Sequence, residues 1–223
     1  MNLNINKKLA IVDIDGTLIR GQSQQMLIQY LYENKIVTTT FYLRLQLWFV
    51  LYKIGLLKDN QKIFSFAVSF LKGRTVKKFN TICKDFFDSI VVDTIYPRSK
   101  NLIETLHNDG YTILLLSTSI EPLVSLFARF FNADDFICTK LENSGAIYSG
   151  RLEGEPVYGL TKLKLLKKYC QEKNVDLSAA VAYADHETDL SILKSVGKGY
   201  VVNPSSRMLA IAQKQGLDIL YLS

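Results

Sequence analysis

Apolar residues along this chain follow two rhythms. Residues 8–14 (KLAIVDI), 111–117 (YTILLLS) and 179–185 (AAVAYAD) are short, nearly unbroken aliphatic runs, the pattern of strands buried on both faces of a parallel sheet. Between residues 22 and 92 the apolar positions instead recur with helical spacing: Met26, Leu27, Tyr30 and Leu31, then 43–51, then 63–71 behind Asp59, a good N-cap. After Pro97, strands and helices alternate. The pattern predicts helix 98–108 stopped by Gly110, strand 111–117, helix 121–131, strand 135–140 and a glycine-containing hairpin near 145–153. Helix 159–173, strand 179–185, helix 187–195, strand 199–202 and helix 205–215 complete it.

Alternating strands and helices after one long helical interruption predict an α/β fold. Its core is expected to be a three-layer, Rossmann-like parallel sheet made of residues 1–20 and 95–223, with 21–94 inserted as an α-helical cap. In such sheets ligands bind beyond the carboxyl ends of the strands, which is where a cap would close.

Composition narrows the functional classes. With 223 residues, 48% of them hydrophobic, the chain can bury a core and a small second lobe. Three well-separated cysteines, Cys83, Cys138 and Cys170, form neither a CxxC pair nor a zinc-like cluster, which suits a reducing cytoplasm. The N-terminus shows no secretion signal. The most apolar stretch, 41–57, falls short of the roughly 20 residues that span a bilayer and carries Arg44, Gln46 and Lys53. A net charge of +6 suits an anionic partner, but lysines such as Lys77, Lys78, Lys164, Lys167 and Lys168 are spread over several helix faces and read as solvated surface. No nucleic-acid site and no obligate protein partner are expected.

The chemistry is concentrated where strands end. In DIDGT, Asp13 and Asp15 are two residues apart at a strand tip, so both can project to one side. One carboxylate can attack phosphorus while the other gives a proton to the leaving alcohol and later takes one from water. Gly16 permits a tight turn and Thr17 supplies a hydroxyl. An acidic turn after a strand is the plain alternative, yet DxDGT is matched by chance in only about one sequence of this length in a thousand. Asp185 and Asp189, in YADHETDL, follow another strand at a helical interval. With Asp13 they would make an oxygen-rich cluster suited to Mg²⁺. Ser117 ends a strand ahead of a helix and Lys162 opens a helix after Gly159; each can hold a phosphate oxygen, although either is an ordinary surface residue when taken alone.

Four segments in order, DIDGT, LLLSTS, GLTK and YADHETDL, resemble the motifs of the haloacid dehalogenase superfamily, in its subfamily related to phosphoserine phosphatase. The resemblance covers nearly the whole chain, including the helical insertion after the first motif. It implies a phosphatase with Asp13 as nucleophile and Mg²⁺ ligand. It implies Asp15 as acid/base with its backbone carbonyl on the metal, Asp185 as third ligand, Asp189 as metal support, and Ser117 and Lys162 on the transferring phosphoryl group. His186 is expected to be a loop neighbour. Where phosphoserine phosphatases carry an acid for the substrate ammonium, this chain has Gln22. A neutral amide cannot balance that charge, which argues against phosphoserine unless Glu33 or another acid of the cap takes that role.

The leading expectation is a capped phosphatase of a small phosphomonoester. The aromatic segment 38–57 is expected to pack the cap's own helices. Alternatively, Trp48, Phe49, Tyr52 and Leu56, flanked by Arg44 and Lys53, form a face for a lipid tail or membrane surface. That alternative gives a phosphatase of lipid phosphates. A catalytically silent phosphate-binding module is countered by the intact Asp13 and Asp15, and a phosphotransferase remains open.

Overall fold

The computed structural model describes residues 8–54, 56 and 60–223, with side chains for all of these except 52, 53 and 60. Asp59, read as the cap of the third helix, lies outside the described residues. The chain enters through β1 (Lys8–Val12), then makes four helices: α1 (Ser23–Glu33), α2 (Thr39–Lys53), α3 (Asn60–Val68) and α4 (Val76–Phe86). Helix α5 (Ser99–Asn108), β2 (Tyr111–Ile120), α6 (Glu121–Phe131) and β3 (Asp135–Thr139) follow. A small hairpin, β4 (Leu141–Asn143) and β5 (Tyr148–Leu152), precedes α7 (Leu160–Lys173) and β6 (Val181–Ala184). The chain ends through α8 (Leu190–Leu193), β7 (Lys198–Val202), α9 (Ser206–Gln215) and β8 (Asp218–Leu220).

Six strands form one parallel sheet in the order β3-β2-β1-β6-β7-β8. Its inner strands read as continuous apolar runs because both faces are covered, and alternate residues serve opposite layers. Ala10, Val12, Ile113 and Leu115 join one core with Ile103, Leu123 and Phe127 of α5 and α6. Leu9, Ile11, Leu114 and Leu116 face the other way, with Leu166 of α7, Ile192 of α8 and Met208 of α9. The result is a three-layer, Rossmann-like α/β core.

The inserted helices are continuous with the first of these cores through Leu27, Leu31, Phe79, Cys83 and Phe86. The chain leaves and returns to the sheet along adjacent paths: Arg20 N–H donates to Thr94 O at 2.8 Å, and Tyr96 N–H to Leu18 O at 3.0 Å. The hairpin is a second tie to the insertion, since Val76 N–H donates to Ala146 O at 2.8 Å and Tyr148 N–H to Arg74 O at 2.9 Å. Its partner was not foreseeable from a glycine turn alone.

Three expectations need correction. The second strand does not stop at Ser117 but runs to Ile120, with its register to β3 shifting between Leu116 and Ile120. Such an irregularity interrupts regular pairing and re-aims side chains. The helix expected over 187–195 is a 3₁₀ turn, Glu187–Asp189, followed by the single turn of α8, because the chain must enter β7 by Lys198. The edge strand β8 was not anticipated: three residues carry too little pattern to register.

Candidate active site

The sheet order reverses between β1 and β6: the chain runs from β1 to β2 and β3 on one side, then returns to β6, β7 and β8 on the other. At such a switch point the two loops leave in opposite directions and open a crevice. Val12 pairs with Tyr183, and Asp13 N–H donates to Tyr183 O at 3.0 Å. Asp13 and Asp185 therefore leave neighbouring strands at the same end of the sheet.

Gly16 turns the chain with φ of +83°, and a Cβ there would overlap the Asp185 carboxylate. Its conformation and its bare Cα together let the β1 loop lie against the β6 loop. Thr17 Oγ1, buried, donates to Asp13 Oδ2 at 3.4 Å. Lys162, in the first turn of α7, reaches into the centre: its Nζ donates to Asp13 Oδ1 at 2.7 Å and to Asp189 Oδ2 at 3.1 Å. All three side chains are buried, and Lys162 is the one buried cation among the described residues.

Asp15 lies beside the start of α1. Ser23 N–H donates to Asp15 Oδ1 at 2.6 Å and Ser23 Oγ to Oδ2 at 3.1 Å, while Ser23 Oγ and Ser119 Oγ lie 3.1 Å apart. Gln24 Nε2 donates to Thr118 O at 2.8 Å, as does Thr139 Oγ1 at 2.8 Å, which pins the end of β2. Ser117 Oγ accepts Ser119 N–H at 3.1 Å, so its own hydrogen remains to be donated. His186 lies outside this cluster and caps its local turn through Nδ1 and Thr188. Ser23, marked in the sequence by nothing beyond a helix start, is the Asp15 partner that the sequence pattern does not reveal.

Electrostatically the crevice is short of positive charge. Burial pushes the Asp13 carboxyl up; Lys162 opposes this, and Asp189 and Asp185 add to it. Burial likewise raises Asp15 against the Ser23 hydrogen bonds that favour its charged form. Asp185 is pushed up to about 7, by burial first and then by Asp189. Burial would discharge Lys162, but the Asp13 and Asp189 carboxylates outweigh it and raise its proton affinity.

The donor set fits a hard divalent cation. Four carboxylates gather about one ammonium, and Asp189 Oδ1, though 3.1 Å from Lys162 Nζ, is buried without a hydrogen bond. Among the described residues no three acidic, histidine or cysteine side chains form a cage. Magnesium needs less from protein: one or two carboxylates, with water and substrate oxygens completing its shell.

Comparison with known proteins identifies the family. The mycobacterial phosphoserine phosphatase of Mycobacterium tuberculosis is 26% identical over 153 residues, covering 69% of this chain; the chain spans 50%, about half, of that relative's length. A histidinol-phosphatase of Neisseria meningitidis is 25% identical over 219 residues, 96% of this chain and 98% of its own. Among solved structures, a protein of unknown function from Bordetella pertussis superposes with a TM-score of 0.90 at 20% identity, covering 98% of this chain and 100% of that one. A phosphoserine phosphatase solved with a phospho-aspartyl intermediate analogue gives 0.68 at 20% identity, covering 98% and 94%. These structural likenesses concern the fold. Residues 10–194 match the haloacid dehalogenase-like hydrolases, a span that includes all four segments meeting at the strand tips, and the chain belongs to that family.

Proposed function

We propose that the protein is a magnesium-dependent phosphatase that hydrolyses a small phosphomonoester through an aspartyl-phosphate on Asp13. The observation that carries this reading is the convergence of Asp13, Asp15, Asp185 and Lys162 at one switch point, with Lys162 on Asp13 at 2.7 Å. The phosphatase names of the mycobacterial and neisserial relatives support the same reaction class.

In this reading the Asp13 carboxylate, the Asp15 backbone carbonyl and the Asp185 carboxylate would hold a magnesium ion, with Asp189, beside Lys162, in support. The ion, when bound, supplies the positive charge that keeps Asp13 ionised and attracts phosphate oxygens. Asp13 attacks phosphorus and forms the acyl-phosphate bond as the bond to the alcohol oxygen breaks. Asp15, its proton affinity raised by burial and its carboxyl held by Ser23, gives a proton to that oxygen. A water then attacks phosphorus, losing its proton to Asp15, and the bond to Asp13 breaks to release inorganic phosphate. Ser117 and Lys162 hold the phosphoryl oxygens and stabilise charge in both steps.

Turnover of a panel of phosphomonoesters, including phosphoserine and histidinol phosphate, with Mg²⁺ tests this. Asp13→Asn is expected to lower kcat by at least about 10³-fold with an unchanged circular dichroism spectrum. Full activity of that variant in chelator-treated buffer would overturn both nucleophile and metal.

A further inference from the structure

We propose that the outer face of α2 rests on the surface of an anionic lipid bilayer. Leu43, Leu47, Val50 and Ile54 are spaced by four, three and four residues, so they form one stripe along the helix and the turn that follows it. Their fractional exposures are 59%, 55%, 55% and 62%, and Leu56 beyond them is 74% exposed. The inner face is occupied by the fold itself. Leu45 is fully buried, Trp48 meets Phe66 at 4.7 Å between ring centroids, and Phe41 stacks on Phe66 at 4.9 Å. Trp48 and Phe49 pack inward, as expected for residues that pack the cap's own helices, so the alternative membrane face drawn through them is corrected; Leu56 stays outside, and the side chains of Tyr52 and Lys53 are not among those described.

A helix apolar on both sides is ordinarily covered on both sides. Here one side is open and aliphatic, and an exposed stripe of this length marks a contact surface. Charge selects its occupant. Helix α2 carries the exposed Arg44 next to Leu43, with its guanidinium 5.1 Å from the Trp48 ring and 4.8 Å from that of Phe66, ends at Lys53 and contains no Asp or Glu, and the chain as a whole carries +6. An anionic bilayer offers both things this surface asks for, an apolar layer for the leucines and negative headgroups for the basic residues. A second copy of the chain is the weaker fit, because a two-fold interface sets a patch against itself and would bring these like charges together. No described helix is long and apolar enough to cross a membrane, so the contact is an interfacial one.

Co-sedimentation of the full chain with phosphatidylcholine vesicles, with and without phosphatidylglycerol, tests the proposal. The protein is expected to pellet with the anionic vesicles, weakly or not at all with the neutral ones, and less as salt is raised. The triple variant Leu43→Gln, Leu47→Gln, Val50→Gln is expected to bind at least about tenfold more weakly with an unchanged thermal midpoint. The proposal is overturned if the protein ignores anionic vesicles, if the variant binds them equally well, or if wild type forms a concentration-dependent dimer that the variant dissolves. Vesicle binding is read without turnover, so its failure leaves the phosphatase reading untouched.

Discussion

Asp15 illustrates how much one side chain depends on a neighbour that sequence does not advertise. The DxD spacing identifies a pair of carboxylates; the two hydrogen bonds from Ser23, at 2.6 and 3.1 Å, determine how the second is held. On the proposed reading Asp15→Asn removes the general acid, so it is expected to slow alkyl phosphates by about 10²- to 10⁴-fold. It should slow p-nitrophenyl phosphate far less, since that leaving group needs no proton. Ser23→Ala keeps the acid but loosens it. A smaller loss is expected, about tenfold for alkyl phosphates, with the same leaving-group dependence, and Ser23→Thr should restore part of it. Steady-state kinetics on paired alkyl and aryl substrates check both. A loss equal for the two leaving groups would mean that Ser23 serves the fold rather than Asp15.

The elements differ, for physical reasons, in how legible they are in the sequence. Helices α6, α7 and α9 and strands β2, β3, β6 and β7 carry enough periodic apolar residues to reveal themselves, and differ from expectation mainly at their ends. β8 is too short to signal, and helix α4, though inside the region read as helical, has its role decided by packing. Phe79 of α4 is almost fully buried and meets Phe70 and Tyr148 edge-on, with ring centroids at 5.9 and 5.8 Å. It therefore joins the insertion to the β4-β5 hairpin. Phe79→Ala is expected to cost about 3–5 kcal/mol, measured by urea unfolding, and to increase amide exchange of the hairpin before that of β1 or β6. Uniform loss of protection would show that insertion, hairpin and sheet unfold as one unit.

At the level of the whole molecule, the gathered carboxylates are expected to make stability depend on pH, and on magnesium if the proposed site binds it. Asp185 has its folded-state value pushed up to about 7, whereas an unfolded aspartate titrates near 3.9. Below the unfolded value the residue is protonated in both states and costs nothing. Between the two values the folded state binds more protons, so stability falls as pH rises, and the penalty is complete above the folded value. Chelator-treated protein is therefore expected to show a falling thermal midpoint from pH 5 to pH 7.5, by about 2–8 °C. Added Mg²⁺ should raise the midpoint most at the higher pH, where the carboxylates are charged. A flat profile with no response to Mg²⁺ in scanning calorimetry would count against a divalent site.

Local pattern determined the broad outline: aliphatic runs made the strands, helical spacing made the insertion, and four short segments carried the chemistry and the family resemblance. Those features survive in one dimension because the strands are buried on both faces and the reactive residues sit at fixed distances from their ends. What the tertiary structure decided is everything that needs residues distant in the chain to meet. Lys162 reaches Asp13 across 149 positions and Ser23 meets Ser119 across 96. The exposed stripe of α2 was equally illegible, since that helix is apolar around its circumference and only packing determines which apolar residues face the core.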